Sequence, residues 1–422
     1  MYISNTPCKN RNICSYSKGV FFILSLSFNA EYADERFRSE IAEPLAKRFP
    51  HVHLEHRREI PLYGDHIEKW ENGEPMADIH LIETYSLRRL IGKHLCVNLL
   101  ELDPSLSAHP FEAGLLAHGL GDSGELFAVP YNNAMDYPLC YNKTIFDKFG
   151  EPYPGDGMTW EEVIERSADV SGPRDGTSYI GLDPADISLM SMQLSAELVD
   201  AATGKASVTG PEWKKMARTI QRIYQVKNNL LPNTNKMLAF NRYFVREQVV
   251  AMGVICPTCY NPDDLQFDWD IVSYPVFEER QGPNLWNNLM LAISPSCKDK
   301  AAALEIVRFL VSDEFQRNNC RKGVLTSLNN PDIQMMFGEL VPLYQNKNVR
   351  AISYNRPAPP PPRGSVGKVI GLQLRLMKEN KDWGILDYRR RLLDMILNNE
   401  QADETLQRYA DELNREMGVR LA

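Results

Sequence analysis

GELFAVPYNNAMDYPLCYNK, residues 124–143, reads as a strand, an irregular crossing and the start of a second structural unit. Leu126, Phe127, Ala128 and Val129 form a short apolar run with β-formers, and Pro130 then removes a backbone donor and ends regular pairing. The chain must change direction there. Tyr131, Asn132 and Asn133 follow, placing an aromatic face and two amides that both donate and accept where a strand leaves its sheet. Such groups suit a neutral polyol.

Upstream, Gly19 to Phe28 reads as the first core strand; the rival reading, with Lys9, Arg11 and Lys18 before it, is the apolar region of a secretion signal. From Ala33 to Phe49 the residues Phe37, Ile41, Leu45 and Phe49 recur every four positions, which predicts a helix with one core face. Val52 to Glu55 alternates as a second strand, so the opening is a β-α-β unit, and ligands of open α/β sheets sit beyond the carboxyl ends of the strands. Asn29 and Glu31 lie at that end of the first strand, where they could equally cap the helix. Ala77 to Ile82 is the next strand, and its exit Glu83, Thr84 and Tyr85 occupies the same sheet edge with a carboxylate, a hydroxyl and a ring. That set looks more like a sugar surface than a core, whereas His80 is expected to pack within the sheet.

Downstream, Thr159 and Glu162 have capping-box spacing and make Trp160 a packing residue at a helix start. Glu212 to Val226 is a second amphipathic helix and Val249 to Ile255 a buried strand. Trp269 to Pro275 reads as a second crossing, Leu289 to Ile293 as a strand, Lys298 to Ser312 as a helix, and a third crossing begins near Val341. The run from Pro357 to Pro362 is read as a rigid polyproline connector in preference to an SH3-type ligand, and amphipathic helices from Val366 to Met417 close the chain.

The 124–143 stretch resembles the crossover of extracellular solute-binding proteins that serve carbohydrate ABC importers, where G-[KE]-L-[YF]-x-[VL]-P leads through a polar loop to Y-N-K. The resemblance continues in Phe146 to Gly150, Met158 to Glu162, the strand at Ala77 to Ile82 (with Ala77 in place of the usual Pro) and Asp313 to Gln316, and it extends over roughly residues 20–420. The loop from Asn133 to Cys140 is about one residue longer than the commonest version and carries Pro138. The resemblance implies an α/β, two-lobed periplasmic-binding-protein-like (type II) fold with discontinuous domains joined by a hinge: 19–131 plus 284–340 as the first lobe, 132–283 plus 341–422 as the second, and 1–18 as an atypical N-terminal segment. It also implies that Tyr260 supplies an aromatic platform where relatives carry Trp, and that Trp286 lies close to the cleft. With these, the expected ligand-binding set is Asn29, Glu31, Glu83, Tyr85, Tyr131, Asn132, Tyr260 and Trp286.

Composition bounds the alternatives. A chain of 422 residues suits two domains, and 43% hydrophobic with 24% charged residues is an ordinary globular balance. A formal charge of −8 without a basic run argues against nucleic-acid binding. No stretch reaches the ~20 consecutive apolar residues of a membrane span. Lipid-anchored relatives carry a small-residue motif before a modified cysteine, and neither Asn5 to Cys8 nor Arg11 to Cys14 has its apolar residue. There is no nucleophile elbow, zinc-protease motif or phosphate loop. The eight cysteines form no evident framework; Cys256-Pro-Thr-Cys259 is read as two loop thiols near a ligand cleft, able to form a local disulfide.

The function so implied is an extracytoplasmic receptor that is no enzyme, needs no cofactor or metal and acts as a monomer. It captures a carbohydrate, an oligosaccharide, by hinge closure and delivers it to ABC-transporter permease subunits. The alternatives are a cytoplasmic redox or zinc protein using Cys256 and Cys259, and a sugar sensor not coupled to transport.

Overall fold

The computed structural model describes residues 13–15, 20–22, 24–59, 66–134, 137–229, 241–260, 262–278, 280–285 and 287–418. Backbone contacts divide them into two compact units. Unit 1 takes the described residues up to His109, Gly119–Tyr131 and Leu289–Ser312; unit 2 takes Pro110–His118, the described residues of Asn132–Asn288 and those after Asp313.

Unit 1 is built on a five-stranded sheet in the spatial order Val52–Arg57, Leu24–Ala30, Ile79–Glu83, Leu289–Ile293, Val129–Pro130. The first three strands are parallel, and Leu289–Ile293 runs antiparallel to both its neighbours. The β-α-β opening is present: a helical run over 34–48, with a π-type stretch at Arg38–Ala42, joins the first two strands. Its four-residue periodicity buries Phe37, Ile41 and Leu45, each side chain contributing about 1.5–3 kcal/mol of apolar transfer. A polar staple fixes the neighbouring strand: Asp78 Oδ2 accepts from the Ser27 amide at 2.8 Å and from its hydroxyl at 2.7 Å.

The expected strand at 126–129 is shorter and later than its apolar run suggests. Leu126 belongs to an isolated bridge with Leu120 outside the named strands, and the strand is Val129–Pro130. Pro130 does not end the pairing, since it sits opposite Met290 and the next amide, of Tyr131, donates to the Leu289 carbonyl at 2.8 Å. The strand is at the sheet edge, where a missing N–H interrupts no ladder.

Unit 2 has its own five-stranded sheet, in the order Trp269–Val272, Leu139–Asn142, Val250–Val254, Thr177–Asp183, Gly172–Arg174. Trp269–Val272, expected as a crossing, is an edge strand antiparallel to Leu139–Asn142; Trp269 and Ile271 are both buried, so the apolar alternation belongs to the sheet. Thr159 and Glu162 form the capping box of helix Trp160–Asp169, and Trp160 packs at 2% exposure with its indole N–H donating to Gln193 Oε1. Helix Pro211–Gln225 turns Trp213, Met216, Ile220 and Ile223 into the same core as Leu406, Tyr409 and Leu413 of helix Ala402–Glu416. Arg356–Pro357 pairs with Gln281–Gly282, and buried Ala358 donates to the Gly282 carbonyl, so the proline run begins anchored within unit 2.

This grouping differs from the expected lobes at residues 110–118, 284–288 and 313–340, all of which join unit 2. The reason is hydrogen bonding: Glu112 N donates to Ser327 O, Asn329 N to Pro110 O, and Asn133 N to Leu325 O. Among the described residues no helix is long and apolar enough to cross a membrane.

His80 is fully buried in the unit 1 sheet, edge-on to Trp70 at 5.4 Å, with Nδ1 3.3 Å from the Asn29 amide nitrogen. Burial holds its pKa down at about 4, against weaker opposing effects from the Ala77 backbone and Asp78. A folded-state pKa below the unfolded one means that the unfolded chain binds the proton first, so this stability is present above about pH 6.5 and is lost as pH falls towards 4. Urea unfolding followed from about pH 7 to pH 4 is expected to lose about 3 kcal/mol from this group, and His80→Leu is expected to flatten that part of the slope.

Candidate functional site

In unit 1 the strand register gathers chemistry at one sheet edge. Ala30 pairs with Leu81, Glu83 with Leu289, and Met290 with Pro130, so the exits of three strands and the entry of a fourth lie together. Glu31, Glu83, Tyr85 and Tyr131 all leave the sheet there. Glu31 is exposed, Glu83 and Tyr85 are half-buried, and Tyr131 is 1% exposed. Glu83 is the residue before helix Thr84–Gly92 but makes no side-chain cap, and Tyr85 lies in that helix's first turn. Burial, and then the negative charge of Glu31, raise the Glu83 carboxyl above the usual carboxylate range.

Asn29 belongs beneath this edge. It is 1% exposed, its Oδ1 accepts from the Glu59 amide at 2.8 Å and its Nδ2 donates to the Glu59 carbonyl at 2.9 Å, so its amide is committed to holding residue 59 against the strand. Neither Asn29 nor Glu31 caps the helix; Ala33 stands at the cap position, without a side-chain cap bond. Tyr32 and Arg36 were missed in the sequence although their four-residue spacing at a helix start was a signal. The guanidinium lies 4.0 Å over the Tyr32 ring, donates to Glu40 at 2.9 Å and is in electrostatic reach of Tyr131. Burial pushes the Tyr32 phenol up to about 12.

Asn132 and Tyr260 belong to unit 2. Asn132 is half-buried and bridges Thr326. The chain after it is held by buried amides: Ala134 N donates to Asn288 Oδ1 at 2.7 Å, and Asn288 Nδ2 donates to Asn284 Oδ1 at 2.8 Å and to Leu285 O at 2.7 Å. Asn284 Nδ2 donates in turn to Gly114 O at 2.9 Å and to Ala358 O at 2.6 Å, while His118 Nε2 lies 3.0 Å from Asn284 Oδ1. Nothing local in the sequence marks this network, because its partners are up to 170 residues apart. Trp286 lies outside the described residues.

Tyr260 follows the exit of strand Val250–Val254 and the short 3-10 turn Pro257–Cys259. Its ring is half-buried, and burial raises its phenol well above the usual tyrosine value, with Cys259, Cys140, Cys256 and Tyr137 in electrostatic reach. Cys256 and Cys259 are not joined by a disulfide. Among the described residues no group of three or more His, Cys, Asp or Glu is placed to hold a metal ion. Elsewhere in unit 2, a hollow lined by Gln193, Leu194, Lys215, Phe277, Glu278 and Gln281 carries one charge of each sign, and these pair at 2.6 Å.

The family model for bacterial extracellular solute-binding proteins matches residues 67–330. No curated protein sequence matches the chain. Among solved structures, a sugar transporter from Rhizobium etli in an open conformation superposes with TM-score 0.67 at 17% identity, covering 93% of this chain and 99% of that one. The sugar-binding protein MalE from Xanthomonas citri gives 0.65 at 15%, over 93% and 97% of the two chains. UgpB from Mycobacterium tuberculosis, in complex with glycerophosphocholine, gives 0.63 at 15%, over 93% and 98%. At such identities the likeness establishes the fold, the α/β architecture of two-lobed periplasmic binding proteins.

Because the charge of Glu31 adds to burial in raising Glu83, removing it is expected to move Glu83 back. In Glu31→Gln, the Glu83 carboxyl is expected to titrate at lower pH than in the parent chain, read by carboxyl carbon NMR. An unchanged titration would mean that burial alone sets it.

Proposed function

The chain belongs to the bacterial extracellular solute-binding protein family, and from that premise we propose that it is an extracytoplasmic receptor that captures a carbohydrate and passes it on unchanged. In this reading the ligand is an oligosaccharide, the two units close about a hinge, the protein acts as a monomer, and permease subunits of an ABC importer receive the ligand.

The observation that carries the reading is the unit 1 edge, where the half-buried ring of Tyr85 stands with the carboxyl groups of Glu31 and Glu83, and the enclosed Tyr131 supports the same edge. Aromatic rings cover the weakly polar faces of a sugar while carboxylates accept from its hydroxyls, so the ligand leaves water without unpaired polar groups. Closure follows only as far as the ligand binds the closed form better than the open one. Asn29 serves by position beneath that edge, and Asn132 and Tyr260 are the contributions we assign to unit 2.

The same edge favours a neutral sugar over a phosphodiester such as the glycerophosphocholine bound by UgpB. Two carboxylates would repel a phosphate, and Arg36, a cation in electrostatic reach of Tyr131, already faces Tyr32 and Glu40.

A thermal-shift screen of the full chain against neutral oligosaccharides and glycerophosphodiesters tests this. A true ligand at ~100 times its dissociation constant is expected to add about 2.7 kcal/mol to stability and to be recovered intact by mass spectrometry. Cleaved sugar would instead make the protein a hydrolase. Tyr85→Ala and Glu83→Gln are each expected to weaken the responding sugar by about tenfold, measured by calorimetry, with the ligand-free melting curve little changed.

A further inference from the structure

Cys256-Pro-Thr-Cys259 takes no part in the binding chemistry proposed above, and its geometry is unlike that of the other described cysteines. Cys96, Cys140, Cys297 and Cys320 are buried, whereas Cys256 is half-exposed and Cys259 exposed. Burial pushes the thiols of Cys96, Cys297 and Cys320 up to about 12, which leaves them protonated and unreactive. The Cys256–Cys259 segment is a single turn: Cys259 N donates to Cys256 O at 3.0 Å, and Pro257 stands at the first central position, where its fixed φ suits the turn. A hydrogen-bonded turn of this kind holds its end Cα atoms within about 7 Å, and disulfides span Cα separations of about 4.4–6.8 Å. The Cys256 sulfur now rests 3.2 Å from the Thr258 hydroxyl, so joining the pair asks for side-chain rotation in a backbone already in place.

We infer that Cys256 and Cys259 form a thiol–disulfide exchange site for low-molecular-weight disulfides, with Cys259 as the attacking and Cys256 as the resolving thiol. The exposed Cys259 thiolate attacks an external disulfide R–S–S–R, forming a Cys259–S–S–R mixed disulfide and releasing one R–S⁻. The Cys256 thiolate then attacks the Cys259 sulfur, closing the Cys256–Cys259 bond and releasing the second R–S⁻. The protein loses two electrons and two protons, and the external disulfide becomes two thiols. Tyr260 is hung on the same turn, its amide donating to Pro257 O at 3.1 Å, so closure also fixes the backbone from which its ring projects. The exchange stands whether or not the ligand is a carbohydrate.

The test treats the full chain with excess glutathione disulfide, then alkylates and maps peptides by mass, which also separates any reaction at Cys8 or Cys14. The expected result is that the 256–259 peptide loses two hydrogens and both alkylation sites, and recovers them on reduction. In Cys256→Ser, glutathione is expected to accumulate on Cys259; in Cys259→Ser, little is expected on Cys256. Both thiols still alkylating, stable glutathione on both in the parent chain, or closure between other cysteines would overturn the proposal. So would protection of both thiols from alkylation by added zinc ions alone, which would make the turn a metal site.

Discussion

A buried amide can be tolerated only when its donors and acceptors are met, and unit 2 depends on that constraint at Asn284 and Asn288. Both are at most 5% exposed, and each donates both of its amide hydrogens. The bonds reach the 114 and 358 backbones and the 134 amide, so segments far apart in sequence meet at one point. Apolar packing could bury such segments, but it is non-directional and would leave their register open. The amide chain sets it, and so lets a compact unit be assembled from discontinuous pieces.

In unit 1 the corresponding organiser is strand register. Leu289 opposite Glu83 and Met290 opposite Pro130 put the chemistry of three exits on one edge. A slip of one residue would turn every one of these side chains to the other face. Burial then differentiates what register has gathered: Glu31 remains in water, Glu83 is partly withdrawn from it, and Tyr131 is almost wholly enclosed. That withdrawal, with the charge of Glu31 beside it, is what raises the Glu83 carboxyl above the usual carboxylate range.

Much of this was legible because it is local. The periodicity of Phe37, Ile41 and Leu45, the Thr159–Glu162 box and the apolar run at 250–254 each specify their element within one window, and the β-α-β opening then fixes which strand ends carry Glu31, Glu83 and Tyr85. The family resemblance carried the same frame across the chain. What could not be read was set by partners distant in sequence. Asn29 reads in the sequence as a ligand group or a helix cap because nothing beside it announces Glu59, thirty residues on. Residues 313–340, expected with the first lobe, group by contacts with unit 2 because Ser327 and Asn329 pair with 110–112. Trp269 to Pro275 reads as a crossing because the edge strand Trp269–Val272 and a crossing share a short apolar run.

Pro130 has an effect on how copies of the chain meet one another. An open sheet edge is a template on which a strand from a second molecule can add, and long flat edges lead to aggregation. At one end of the unit 1 sheet the edge strand has two residues and one of them, Pro130, offers no hydrogen. At the other end the edge strand Val52–Arg57 carries Glu55 and Arg57, charges that an added strand would have to desolvate. The sheet that presents the candidate binding groups is thus guarded at both margins against growing into a fibril.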